Sequence, residues 1–313
     1  MDRRNLLKGG ALGVSAAAFG QAPVASQTMG ETAFVLVHGS WHGSWCWANV
    51  TPHLISAGHG VILLDLPGHG LNATFPSSYF QRPLDMATFA AEKSAMADIP
   101  LIDFTASVIS GVRTAKAGGA ERVIVVGHSM GGVPMTFAGE AAAEEIDALV
   151  YVSACMMPPG KPWGDYFEVS GQVDEKVGSI MIGDPAQTGC VRCDPLSDSP
   201  IYRSAIKAAL AADVNDDVLS AALNMMIPDA PFSMYFETPN LTPERFGSVK
   251  RIFIKCTEDF TIRPTTQDLM IADLNAAFPQ NPTHVYEIAS SHEVMLSKPT
   301  DLSETMIDLA QRL

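Results

Sequence analysis

Arg122-Val-Ile-Val-Val-Gly-His-Ser-Met-Gly-Gly132 is the stretch on which the reading of the whole chain turns. Val123 to Val126 form a short apolar run rich in β-branched residues, as expected of a strand buried on both faces. Gly127-His128-Ser129-Met130-Gly131 follows at once, and Val133 to Ala138 continues as the start of a helix. A serine on so sharp a strand-to-helix turn needs strained backbone angles. Its neighbours two positions away must be nearly free of side chains for strand and helix to approach. Gly127 and Gly131 meet that need. The turn lifts the Ser129 hydroxyl clear of the sheet and aims the first N–H groups of the helix at whatever it attacks. Ser129 is the expected nucleophile.

Working outward, apolar strands alternate with helical stretches. Thr32 to His38 reads as a strand, about Trp47 to Ala57 as a helix, Val61 to Asp65 as a strand and about Leu101 to Ala117 as a helix. Beyond the serine, Ile146 to Ser153 is a strand. The alternation resumes with the strand Lys250 to Cys256, a helix from about Pro264 to Phe278, the strand Thr283 to Ile288 and a last helix from Asp301 to Leu313. Such alternation predicts an α/β fold, a mostly parallel sheet with right-handed crossovers and helices on both faces. Residues 156–246 break the pattern. They offer no strong strand, only short helical candidates at Tyr202 to Ala212 and Asp216 to Met226 among prolines, glycines and methionines. Met156, Met157, Met181, Met225, Met226 and Met234 give this part a soft apolar character. The expectation is a cap inserted between two parts of one core, residues 29–155 and 247–313.

Residues 1–28 stand apart. Arg3-Arg4-Asn5-Leu6-Leu7-Lys8 has the twin-arginine pattern, and the weakly apolar run Gly9 to Gly20 is too short for a membrane span. This predicts export by the twin-arginine machinery, to the periplasm or beyond, with no membrane span. The formal charge is −14, and setting the leader aside makes the remainder more acidic still. Such a surface repels phosphate backbones and anionic lipids, which excludes nucleic acid and membranes as expected partners. Nothing in the sequence sets an oligomeric state. Cys46, Cys155 and Cys256 lie in apolar surroundings as small hydrophobes. Cys190-Val-Arg-Cys193 lies in a polar segment, and with no further ligands nearby a small disulfide loop is preferred there over a zinc site.

A serine needs a base in reach and a third group to orient that base. In open α/β sheets reactive groups collect at the carboxyl ends of the strands. Asp259, just past the strand Lys250 to Cys256, and His292, just past the last strand, are the candidates, and the chain order Ser, Asp, His suits them. Glu258 is the neighbouring rival to Asp259. Other histidines have plainer places: His53 and His59 flank a helix and His284 opens a strand. Asp65, followed by Leu-Pro-Gly-His-Gly, reads as a structural turn. The oxyanion formed on attack needs two N–H donors. These are expected from Met130, after the nucleophile, and from Ser40 in the loop after the first strand. Gly39, Trp41 and His128 are expected to border the substrate, although Trp41, His42 and Trp45 suit packing equally well. Neither metal nor cofactor is called for.

Val37-His-Gly-Ser-Trp-His-Gly-Ser-Trp-Cys-Trp47, Ala57-Gly-His-Gly-Val61, the serine turn, and Ser291-His292 ahead of Ser297-Lys-Pro299 together resemble the α/β-hydrolase branch of plant methylesterases, salicylate-binding esterases and hydroxynitrile lyases. The resemblance covers about residues 33–155 and 249–312 and is vague in the cap. It implies an α/β-hydrolase fold and hydrolysis of a small-molecule ester through Ser129, Asp259 and His292, with Ser40 and Met130 as oxyanion donors. The lyases carry a threonine where Gly39 stands and a lysine where Glu293 stands, so cyanogenic activity is not expected. The plant proteins lack the leader. Within the same machinery a lactone, amide or activated C–C bond is an alternative target. A ligand-binding protein on the same scaffold is the alternative of a different class.

Overall fold

The computed structural model describes residues 29–313; the expected leader, residues 1–28, lies outside the described residues. In chain order the first half contains β1 (Thr32–Val37), α1 (Thr51–Ser56), β2 (Gly60–Leu64), α2 (Met86–Ala91), α3 (Leu101–Ala117), β3 (Arg122–His128), α4 (Gly132–Ala141) and β4 (Ala148–Val152). The second half contains α5 (Pro185–Thr188), β5 (Cys190–Arg192), α6 (Pro200–Leu210), α7 (Asp216–Met225), β6 (Asp229–Pro231), β7 (Lys250–Cys256), α8 (Pro264–Ala277), β8 (His284–Ile288), α9 (Val294–Ser297) and α10 (Pro299–Arg312). Six strands form one sheet in the order β2-β1-β3-β4-β7-β8, and every neighbouring pair is parallel. Among the described residues no single helix is long and apolar enough to cross a membrane.

The valine-rich run works as a two-faced strand. Val123 and Val125 point into the core that holds Phe104, Val108 and Val112 of α3 and Val133 of α4. Ile124 and Val126 point into the opposite core, with Leu54 of α1 and Leu302, Met306 and Leu309 of α10. Period-two alternation with both faces covered is why the run reads as continuously apolar. Each fully buried side chain of this kind contributes about 1.5–3 kcal/mol, so a polar residue at either register would be strongly destabilising.

Boundaries shift for local reasons. The helix expected from Trp47 starts at Thr51, because Pro52 presets the first turn and Ser44–Trp47 form a separate 3-10 turn. β8 starts at His284 rather than Thr283, whose N–H is taken by Asn275 Oδ1 at 2.7 Å.

Between β4 and β7 the segment expected to lack strands contains a two-stranded antiparallel sheet, β5 with β6. Each strand has three residues, and β6 includes Pro231, so neither carries a readable period. A cross-strand pair compensates. Arg192 stands opposite Asp229 and donates to its two oxygens at 2.6 and 2.8 Å, with both side chains buried. The same guanidinium donates to the carbonyls of Phe89 and Glu92, tying residues 72–100 to the cap. The helices α6 and α7 begin at side-chain caps, Ser199 and Asn215.

The expected disulfide is not formed. Cys190 and Cys193 are free and buried. Cys190 opens β5, and Cys193 continues the extended chain with its N–H on Pro228 O at 2.9 Å. Three residues of strand span about 10 Å, too far for the roughly 7 Å Cα limit of a disulfide.

Candidate active site

Ser129 sits at the end of β3, the strand at the centre of the sheet, with φ of 51°. Among the described residues four non-glycine residues have positive φ, and three of them, Trp41, Ser129 and Ser153, lie at this site. Strain concentrated in this way is held by surrounding structure and marks functional sites. Gly131 is there for room: a Cβ on it would stand 2.7 Å from His38 O. The Ser129 carbonyl is fixed by the Cys155 N–H at 2.9 Å, which leaves the hydroxyl to face a cavity.

The loops after β7 and β8 bring Asp259 and His292 together. His292 Nδ1 donates to Asp259 Oδ2 at 2.7 Å, with both side chains buried. The second carboxylate oxygen accepts the N–H groups of Thr261 at 2.6 Å and Ile262 at 3.0 Å, and the Ser153 hydroxyl donates to the first. Four donors therefore hold one carboxylate in one orientation, which fixes the imidazole tautomer with Nε2 free to accept a proton. Glu258, the rival acid, is exposed. Burial lowers the His292 pKa, but the Asp259 carboxylate outweighs it, and the net shift is upward. His292 and Ser129 line the same cavity. Neither Nε2 nor the serine hydroxyl has a hydrogen-bond partner among the described residues, an open arrangement common before substrate binds.

Gly39 presses against the nucleophile: a Cβ there would lie 2.8 Å from Ser129 Cβ and 2.9 Å from His128 Nδ1. Only glycine lets the loop after β1 pass this close. Ser40 follows at the cavity wall, its hydroxyl 2.9 Å from Tyr235 Oη of the cap. Met130, next to Ser129, is buried in the 3-10 turn that opens α4. Trp41 binds cap to core, since its indole donates to Val191 O and its carbonyl accepts the Ile227 N–H, both at 2.9 Å.

The cavity measures about 220 Å³. Its walls are aromatic and aliphatic rather than methionine-rich. Trp163, Phe167 and Tyr235 pack on one another with ring centroids 4.6 to 5.7 Å apart, and Met181 is the one cap methionine at the lining. Met156, Met157 and Met234 are core residues, and Met225 is exposed. The cap is also bonded to the catalytic loops. Thr261 donates to Ala209 O, Gln172 Nε2 to Thr261 O, and the Glu293 N–H to Leu210 O.

His128 lies between elbow and base, with Nε2 3.1 Å from His292 O. Burial is the main reason its pKa falls to about 3, so the ring is neutral and donates that bond. One donor atom each of His128, His292 and Glu293 fall within 4.8 Å of one another. His292 is engaged by Asp259, Glu293 by His42, and the remaining His128 nitrogen faces Gly39.

Ser153, Tyr235 and Glu293 escaped the sequence reading as site residues, and His42 was read only as a wall or packing residue. Ser153 carried a usable signal, since it ends a strand on the catalytic side. Tyr235 carried none.

A strained serine, a carboxylate-held imidazole and a glycine-opened loop at the carboxyl edge of a parallel sheet define a serine hydrolase. The model of the alpha/beta hydrolase family matches residues 34–305. Methyl jasmonate esterase 1 of Vitis vinifera is 31% identical, over 90% of this chain and 97% of that protein. Salicylic acid-binding protein 2 of Nicotiana tabacum is 28% identical, over 89% and 97%. A solved pyrethroid hydrolase from Sphingobium faniae JZ-2 superposes with a TM-score of 0.67 at 20% identity, over 90% and 97%, a likeness of fold. The chain belongs to the alpha/beta hydrolase family.

Proposed function

We propose that this hydrolase cleaves small or medium carboxylic esters with an apolar acyl or alcohol part, through an acyl-enzyme on Ser129. The observation that carries the reading is the 2.7 Å bond from His292 to a four-donor Asp259, in the cavity onto which the strained Ser129 opens. His292 Nε2 takes the serine proton as Oγ attacks the ester carbonyl. The N–H groups of Ser40 and Met130 stabilise the oxyanion. His292 then protonates the departing alcohol, and the same imidazole activates water to release the acid. Asp259 stabilises the imidazolium formed in both halves.

Ester hydrolysis agrees with the names of the curated relatives, methylesterases and methyl jasmonate esterase. A cavity of about 220 Å³ suits a compact substrate, and its aromatic wall suits an apolar one. Glu175 and Glu293 at the lining disfavour a strongly anionic substrate. Glycine at 39 and glutamate at 293, in place of threonine and lysine, disfavour cyanohydrin cleavage. The test is turnover of p-nitrophenyl acetate and butyrate by purified protein, against Ser129→Ala. Stoichiometric release without turnover would point instead to a ligand-binding protein.

Export by the twin-arginine machinery is proposed separately, on Arg3-Arg4-Asn5-Leu6-Leu7-Lys8 alone. Residues 1–28 fused to a reporter should deliver it outside the cytoplasm, and Arg3→Lys/Arg4→Lys should retain it there.

A further inference from the structure

The proposed reaction leaves a second carboxylate and imidazole unused beside the triad. Glu293 follows His292 in sequence, and its side chain and that of His42 are each 4% exposed. Glu293 Oε2 lies 3.3 Å from His42 Nε2 without a well-aligned donor, so the contact is ionic before it is a hydrogen bond. On the other side of the ring, His42 Nδ1 donates to Ser40 O at 2.6 Å. A carbonyl only accepts, so Nδ1 carries a proton. The ring stacks on Trp45, with centroids 5.1 Å apart. Glu293 is fixed as well: its N–H donates to Leu210 O, and its carbonyl accepts the N–H groups of Leu296 and Ser297.

Burial pushes the Glu293 carboxyl up, yet the His42 charge outweighs it and holds the group down at about 2. Burial pushes His42 down, and the Glu293 charge outweighs it, so the net shift is upward. The two shifts run in the directions that favour opposite charges 3.3 Å apart, and each group makes the other's burial tolerable.

We propose that Glu293 and His42 are positioning residues, a buried ion pair that ties the loop carrying the oxyanion donor Ser40 to the loop carrying the base His292. The inference rests on the serine-hydrolase reading above. Glu293, His42 and the Ser40 carbonyl run beside Asp259, His292 and Ser129 as a second relay, one that moves no proton. Because Glu293 adjoins His292, a displacement of either loop is passed to the other. Oxyanion donors act only when held close to where the charge develops, and such a tie holds them there.

The pair also balances charge at the base. The groups facing His292 are Asp259, Glu293, His42 and His128, and those facing the pair from other elements are His38, His69, Cys46, Cys256, whose thiol burial pushes up, and, beyond them, Asp65 and the Asp213 carboxylate that holds Ser291. Burial holds His38, His69 and His128 neutral and the Cys46 thiol protonated. The charges bearing closely on His292 thus reduce to Asp259, Glu293 and His42. Removing His42 alone strands a negative carboxylate beside the base; removing both leaves no net change.

The experiment compares pH profiles of kcat and kcat/KM on p-nitrophenyl butyrate for wild type, His42→Gln, Glu293→Gln, the double variant and Ser129→Ala. His42→Gln should lower kcat roughly 10- to 100-fold with KM within threefold. It should also move the acid limb of kcat/KM to higher pH, because the stranded carboxylate retains a proton on His292. The double variant should return the limb to its wild-type position and recover part of the rate. Glu293→Gln should lower kcat about tenfold without moving the limb. If His42→Gln fails to fold, Glu293→Gln decides the matter through its kcat and KM. Wild-type kcat and KM in Glu293→Gln, or one limb position in His42→Gln and the double variant, overturns the proposal. Wild-type turnover by Ser129→Ala would remove the underlying reading instead; an inactive Ser129→Ala with unaffected pair variants removes the pair alone.

Discussion

The carboxyl edge of the sheet and the cap over it are held together differently. Each catalytic candidate at the edge hangs on regular structure: Ser129 on β3, Asp259 just past β7, His292 just past β8. Their positions follow from strand order and register, with backbone N–H groups completing the carboxylate site. The cap has two longer helices and a pair of three-residue strands, and it is held by individual long-range contacts: the two-bond Arg192–Asp229 pair within it, and the bonds of Trp41 to Val191 and Thr261 to Ala209 across to the core. The strained serine and the carboxylate-held imidazole thus lie in the part governed by period, and the aromatic wall of the cavity lies in the part held by individual contacts.

The sharpest test of the edge is Asp259→Asn. It should lower kcat roughly 10³- to 10⁴-fold by releasing the imidazole tautomer, while leaving KM within a few fold. In the wild type the acid limb of kcat/KM should lie above about 6.5, because the base must be neutral and the Asp259 charge raises His292. In Asp259→Asn the residual activity should extend to lower pH. A limb that stays in place would break the assignment of Asp259 as the orienting acid.

On the cap side the largest effect should be on stability. Arg192→Leu leaves Asp229 buried without its partner and should cost about 3–5 kcal/mol in urea denaturation, whereas Arg192→Leu/Asp229→Leu should recover most of it. A cost below about 1 kcal/mol would show that the two-stranded sheet is not what holds the cap. Smaller again, Trp163→Ala should raise KM for bulky apolar esters roughly tenfold by opening the aromatic wall, with kcat for p-nitrophenyl acetate little changed. Equal losses on both substrates would mean that cap and edge are not separable in this way. With almost no effect on activity, thiol titration under denaturing, non-reducing conditions should count five free thiols; three would restore the disulfide loop.

The same division explains what was legible. Val123 to Val126 exposed the central strand because both its faces are buried, and Gly127 and Gly131 exposed the turn because side chains there would collide. Asp259 and His292 followed from their places just past strands and from the chain order Ser, Asp, His. Arg192 and Asp229 were illegible because 37 residues separate them and neither lies in a periodic segment. The Cys190 to Cys193 spacing misled because it was read as a loop, whereas Cys190 opens β5 and Cys193 follows directly on that strand. Glu293 was noticed as a departure from the lyases, but its partner His42, far away in the chain, could not be inferred.

The central claim is that Ser129 Oγ is the nucleophile and becomes acylated. Treating the purified protein with a fluorophosphonate and digesting it should give one modified peptide, with the adduct on Ser129 and none in Ser129→Ala. A stable adduct on another residue, or undiminished ester turnover by Ser129→Ala, would contradict it.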